Sequence, residues 1–217
     1  MDDLRLTIGN KNYSSWSLRP WILMKHLGLE FSERQIPLDT AEFADRIAAL
    51  SPTRRVPVLE DRGLVIWDSL AICEYASELA GAGWPRDAKT RAVARSACAE
   101  MHSGFGALRS QWPMNARAEN RRTPDDAARA ADVARIEGLW NDCRTRFGAG
   151  GPWLFGEYSV ADAMYAPVVL RFRTYGARLR AASQAYVDTA LGDPHLASWL
   201  DAARAETWTI ATSEIGN

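Results

Sequence analysis

The chain has 217 residues, 47% apolar and 24% charged, with a formal net charge of −1. This composition fits a folded protein of one or two domains and excludes a fibre or a disordered chain. No Lys/Arg block exceeds a pair and no apolar run approaches the length of a membrane span, so neither nucleic acid nor a membrane is an expected partner.

The opening MDDLRLTIGN is acidic and lacks a basic stretch followed by an apolar one, which reads as a cytoplasmic protein. LRLTI (4–8) alternates as a strand does, WSLRPWILMKHLG (16–28) has helical periodicity closed by Gly28, and FSERQIPL (31–38) is again strand-like. A short helical stretch at 41–50 follows. PVLED (57–61), a turn at Arg62-Gly63 and LVIWD (64–68) then read as two strands, with a helix from Ser69 to about Leu79. This β-α-β unit followed by β-β-α predicts an α+β domain, a four-stranded sheet with helices on its faces.

GAGWPRD (81–87) breaks the pattern and serves as a linker, dividing the chain into residues 1–82 and 83–217. Beyond it strand signals almost vanish. Helical stretches near 88–110, 124–147, 159–180 and 193–204 predict an all-α second domain. The polar segment 118–126 reads as a loop in which Arg121 and Arg122 are solvated. Ahead of one apolar run, Ser159 and Asp162 form an S-x-x-D capping box. Cys73, Cys98 and Cys143 are far apart, with no paired or metal-ligand spacing, and read as buried structural thiols.

The turn NYSSWSLRPW (12–21) carries three serines and two tryptophans where the first strand hands over to the first helix. Proline is poorly tolerated deep in a helix, so Pro20 predicts a helix start near Trp16 or Ser17. Ser14 and Ser15 then lie at its positive end, where a hydroxyl and free amides meet an anion. Plain capping is the structural alternative for all these serines.

Four separated motifs resemble the cytosolic glutathione transferases. Val56-Pro57 resembles the pair carrying a cis-proline there. Asp68-Ser69 resembles the pair that holds the γ-glutamyl end of glutathione, and the run from Gly156 to Asp162 resembles a helix-capping motif. SSWSLRPWI (14–22) is similar to the S-S-C-S-x-R motif of the zeta class, with Trp16 in the cysteine's place. The resemblance implies a thioredoxin-like N-terminal domain for glutathione and an all-helical domain for the electrophile. It also implies a homodimer, with glutathione as co-substrate and a small hydrophobic electrophile as partner.

A free thiol of pKa near 8.5 is only about 3% ionised at pH 7, so conjugation needs a group that favours the thiolate. The resemblance assigns that role to Ser14, supported by Ser15; Tyr13 is the alternative hydroxyl and Ser17 a helix cap. It places Trp16, Val56, Pro57, Asp68 and Ser69 around glutathione; Arg54, Arg55 and Arg46 are the candidate cations for the glycyl carboxylate, with Arg54 the first choice. Met101, His102, Phe105, Arg109, Trp112 and Met114 stand where the electrophile would enter, although a Met/aromatic stripe at helical spacing is more often core. With no cysteine in the turn, a mixed-disulfide reductase is disfavoured. The expectation is a serine-type glutathione transferase; the alternatives are a maleylacetoacetate isomerase-like enzyme and a catalytically idle binding or regulatory protein.

Overall fold

A computed structural model describes residues 4–216. Four strands, β1 (Leu4–Ile8), β2 (Ser32–Gln35), β3 (Val58–Asp61) and β4 (Leu64–Trp67), form one sheet in the order β2-β1-β3-β4. β1 runs parallel to β2 and antiparallel to β3, which pairs antiparallel with β4. The alternating apolar positions of β1 put Leu6 and Ile8 in the core, and the strand lies inside the sheet. Helices α1 (Ser15–His26), α2 (Phe43–Ala48) and α3 (Ser69–Ala80) complete a thioredoxin-like unit, and α1 packs on α3.

The remainder is helical: α4 (Ala88–Ser103), α5 (Gly106–Gln111), α6 (Ala127–Phe147), α7 (Val160–Tyr175), α8 (Ala181–Leu191) and α9 (Pro194–Ala205). α7 is its spine, with every residue but Arg173 buried, and it packs on both α1 and α4. The capping box closes at its start. Asp162 Oδ2 accepts the amide and the hydroxyl of Ser159, both at 2.9 Å, while Oδ1 accepts the Leu154 amide and the Tyr186 hydroxyl, both at 3.0 Å. Among the described residues no helix is long and apolar enough to cross a membrane.

Four local expectations are corrected. The stretch 88–110 is two helices, because Phe105 takes a left-handed φ of 57° and turns the chain between α4 and α5. The stretch 159–180 ends at Tyr175, where Gly176 caps α7 with a φ of 60°. An additional helix, α8, fills 181–191, burying only Ser183, Tyr186, Val187 and Ala190. Arg121 is not simply solvated: its guanidinium pairs with Glu214 at 2.6 Å, and the side chain is about one-fifth exposed.

Candidate active site

A cavity of about 490 Å³ opens where α1, α3, α4 and the loop before β3 converge. Trp16 and Trp67 are its indole walls, and His102 is its contribution from α4. The rest of the lining comes from Thr53 and Arg55, the Val56-Pro57 pair and Asp68-Ser69. The Val56-Pro57 bond is cis.

Asp68 and Ser69 stand at the start of α3. Asp68 caps the helix, Oδ1 accepting the amides of Leu70 at 2.8 Å and Ala71 at 3.3 Å, and its backbone is held at φ 74°. A left-handed conformation costs a non-glycine residue about 1–3 kcal/mol, which those two bonds offset. Its other oxygen lies 3.1 Å from His102 Nε2, a bridge between the two halves of the chain. The Ser69 hydroxyl is buried on this wall and has no partner among the described residues. An unpaired buried hydroxyl at the positive end of a helix is a seat for a carboxylate.

At the other end lies the N-terminus of α1. The helix starts at Ser15, one or two residues earlier than Pro20 led us to expect; Pro20 sits inside it and merely leaves the Trp16 carbonyl without its helical donor. Ser14 is the N-cap residue and is 5% exposed. Its hydroxyl meets that of Ser17 at 2.7 Å, and Ser17 Oγ accepts the Gly9 amide at 3.1 Å. Gly9 suits this close approach, because a Cβ there would fall 2.9 Å from Leu38. The Ser15 side chain, 8% exposed, has no hydrogen-bond partner among the described residues. Neither Ser14 nor Ser15 lines the cavity directly; Trp16 stands at that boundary.

Trp16 packs against two cations. Arg19 lies 4.2 Å and Arg109 5.4 Å from its ring, and His102 meets the ring edge-on at 5.3 Å. Arg19 is 1% exposed, and its Nε and Nη1 have no acceptor among the described residues. Burial, followed by nearby Arg109, lowers its pKa to about 10. The indole face therefore substitutes for the missing acceptors, an interaction of roughly 0.5–2 kcal/mol.

Arg54, expected against the glycyl carboxylate, is exposed at a left-handed φ of 56° and lies off the cavity wall; Arg55 lines it instead. Met101, Phe105, Trp112 and Met114 are core, with Trp112 stacked on Tyr175 at 5.3 Å. Of the α4 and α5 candidates His102 alone is on the wall, while Arg109 bonds the His102 carbonyl at 3.2 Å. Tyr13 points away from the cavity, donating to Glu214 at 2.6 Å; burial and that carboxylate raise its pKa. Among the described residues no group of three or more His, Cys, Asp or Glu could hold a metal ion.

All three cysteines are free and buried, and desolvation raises each thiol, Cys143 to about 12. A thiol-reactive disulfide reagent should accordingly titrate none of them in the folded protein and all 3 after denaturation. A native thiol reacting within seconds would contradict this.

Two family models match the chain: the glutathione S-transferase N-terminal domain over residues 13–79 and the C-terminal domain over 126–202. The chain belongs to the glutathione S-transferase family. The first model spans the serine turn, the Val56-Pro57 pair and Asp68-Ser69; the second spans the capping box. Glutathione S-transferase L2, chloroplastic, of Arabidopsis thaliana is 27% identical over 190 residues, or 84% of this chain and 57% of that protein. The chain thus spans little more than half the length of this relative. Among solved structures, a glutathione transferase homologue from Burkholderia with bound glutathione has a TM-score of 0.72 at 23% identity, covering 94% of this chain and 99% of that one. The theta class glutathione S-transferase of Xanthomonas axonopodis pv. citri, also with glutathione bound, has a TM-score of 0.68 at 21% identity, covering 92% and 98%. At such identity the likeness speaks to the glutathione S-transferase fold.

Proposed function

We propose that this chain is a serine-type glutathione transferase, joining the sulfur of glutathione to small apolar electrophiles. The observation that carries the reading is the convergence on one cavity of two helix starts and an unpaired buried hydroxyl: α3 with Asp68 and Ser69, and α1 with Trp16 at its head. Glutathione has an anionic carboxylate at each end and a thiol between them. Its γ-glutamyl carboxylate fits the Ser69 hydroxyl and the positive end of α3, and its ammonium fits Asp68. Val56 and Pro57 lie alongside the cysteinyl residue, and Arg55, rather than Arg54, faces the glycyl carboxylate. The sulfur then falls at the α1 start, where the serines and the helix dipole favour the thiolate. Two indole walls, Trp16 and Trp67, suit an apolar electrophile.

The hydroxyl chain supports Ser14 as donor. With the Gly9 amide donating to Ser17 and the Ser17 proton directed to Ser14, the Ser14 proton is free to point at sulfur. Ser15, with an unoccupied hydroxyl one residue on, is its neighbour in this role. The nucleophile is the ligand's sulfur, and the serine donates throughout. Assembly as a homodimer belongs to the same reading and is checked by sedimentation.

Calorimetric titration of glutathione tests the reading. Wild type should bind, and Ser69→Ala should bind about tenfold more weakly, as the loss of one hydrogen bond to a charged group predicts. No binding by the wild type would overturn the proposal, whatever the variants do.

A further inference from the structure

We infer that Glu206 and Glu214, in the segment after α9, are positioning residues that hold the β1–α1 turn and through it Ser14 and Ser15. Their bearing on chemistry rests on the glutathione reading above; their bearing on the turn does not.

The turn from Gly9 to Ser14 is held in part by its own domain, where Ser17 meets the Gly9 amide and the Ser14 hydroxyl and Lys11 pairs with Glu33 at 2.8 Å. Asn10 adds to this, its carbonyl taking the amides of Tyr13 at 3.2 Å and Ser14 at 2.8 Å, and its side chain taking the Leu38 amide at 2.7 Å. The backbone amides of residues 11 and 12, the Asn12 carbonyl and the Tyr13 hydroxyl are fastened by residues more than a hundred positions away. The carboxylate of Glu206 accepts two adjacent amides, Lys11 at 2.6 Å and Asn12 at 3.0 Å, together with the Gln35 side chain. Trp199 donates to the Lys11 carbonyl at 2.8 Å. The amides of Ala116 and Arg117 reach the carbonyl and side chain of Asn12 at 2.9 and 2.7 Å. Glu214 takes the Tyr13 hydroxyl at 2.6 Å and is itself held by Arg121 at 2.6 Å. Arg117 ties the two acidic segments together, bonding the Glu206 carbonyl at 2.8 Å and the Tyr13 hydroxyl at 3.0 Å.

A tight turn is ordinarily closed by local Gly, Asn or Asp chemistry. Here two consecutive amides converge on one carboxylate, a charge-assisted arrangement stronger and more directional than a neutral bond. Each of residues 11, 12 and 13 is fixed immediately before the serines, so a shift of the carboxyl-terminal segment moves the donor hydroxyls. A displacement of about 1 Å at a reacting group can cost a hundredfold in rate.

The test uses the full chain with Glu206→Ala, Glu206→Gln and Tyr13→Phe, and two readouts. Thiolate absorbance of bound glutathione against pH gives the thiol pKa, and hydrogen–deuterium exchange follows the amides of residues 9–18. Glu206→Ala should raise the bound thiol pKa by about half a unit or more and lower kcat about tenfold, with the electrophile KM little changed. Exchange should quicken in the turn and stay at wild-type rates in α6 and α7. Glu206→Gln keeps one acceptor oxygen and should recover part of both losses. A folded Glu206→Ala with wild-type thiol pKa and wild-type exchange in the turn overturns the inference. Should that variant fail to fold, the same two readouts on Glu206→Gln and Tyr13→Phe decide, and wild-type values in both overturn it. If the wild type binds no glutathione, the functional reading falls and exchange alone decides the positioning role.

Discussion

Ser14→Ala should raise the thiol pKa of bound glutathione by about one to two units and cut kcat/KM about tenfold to a hundredfold at pH 6.5. A shift of two units corresponds to about 2.7 kcal/mol, close to one charge-assisted hydrogen bond plus a helix start. The sign follows from ionisation. A hydroxyl aimed at sulfur favours the thiolate and lowers the thiol pKa, so removing it matters most below the new pKa and ceases to matter near pH 9, where the thiol ionises unaided. Ser15→Ala should change the pKa far less. The reverse order, a large rise in Ser15→Ala and none in Ser14→Ala, would transfer the role to Ser15. Equal, wild-type values in both would leave the serines as caps.

Asp162→Ala should destabilise the fold by about 3–5 kcal/mol in urea titration at pH 5, because four buried donors converge on that carboxylate and all would be orphaned. The size of the deficit should depend on pH. Burial raises the Asp162 carboxyl to about 6 despite hydrogen bonds that oppose the shift. The folded chain therefore holds this proton more tightly than the unfolded chain, whose carboxyl titrates near 3.9. Stability from this source is fully present below about pH 4 and lost as pH rises through about 6, at most about 3 kcal/mol. The Asp61, Asp193 and Glu214 carboxyls are lowered, Asp61 by Arg62 and Tyr75, the other two against burial by their hydrogen-bond partners. These bias the whole-protein curve the other way, so wild type minus variant is the quantity to plot. A difference that grew from pH 4 to pH 7 would show that Asp162 is ionised in the fold.

Much of this fold was legible because local signals and tertiary needs agreed. Leu4–Ile8 alternates and is half-buried on an inner strand; Ser159 and Asp162 cap the helix where spacing alone placed them. The signal failed where a single residue's backbone decided the outcome. Phe105 and Arg54 both take left-handed conformations that their side chains do not advertise, and so a long helix broke and the neighbouring Arg55 took the cavity wall. α8 escaped notice because its buried stripe is narrow, with a serine among four inward positions. In the candidate site, Asp68 and Ser69 are marked by the family resemblance, since such a pair before a helix is by itself only a good helix start. The His102 partner of Asp68 lies on another helix, and Glu206 reaches its amides across nearly the full chain, distances that no periodicity spans.

The contact of Trp16 with Arg19 and Arg109 bears on how such a turn can change over evolutionary time. The exchange Trp16→Cys would spell S-S-C-S-x-R, yet by itself it would strip of its facing indole a guanidinium that has no acceptor on Nε or Nη1 among the described residues. The motif S-S-C-S-x-R itself keeps an arginine at the place of Arg19. A cysteine at position 16 therefore calls for another group to face that buried guanidinium, and the replacement for the indole, rather than the loss of the arginine, is the second change such a turn requires.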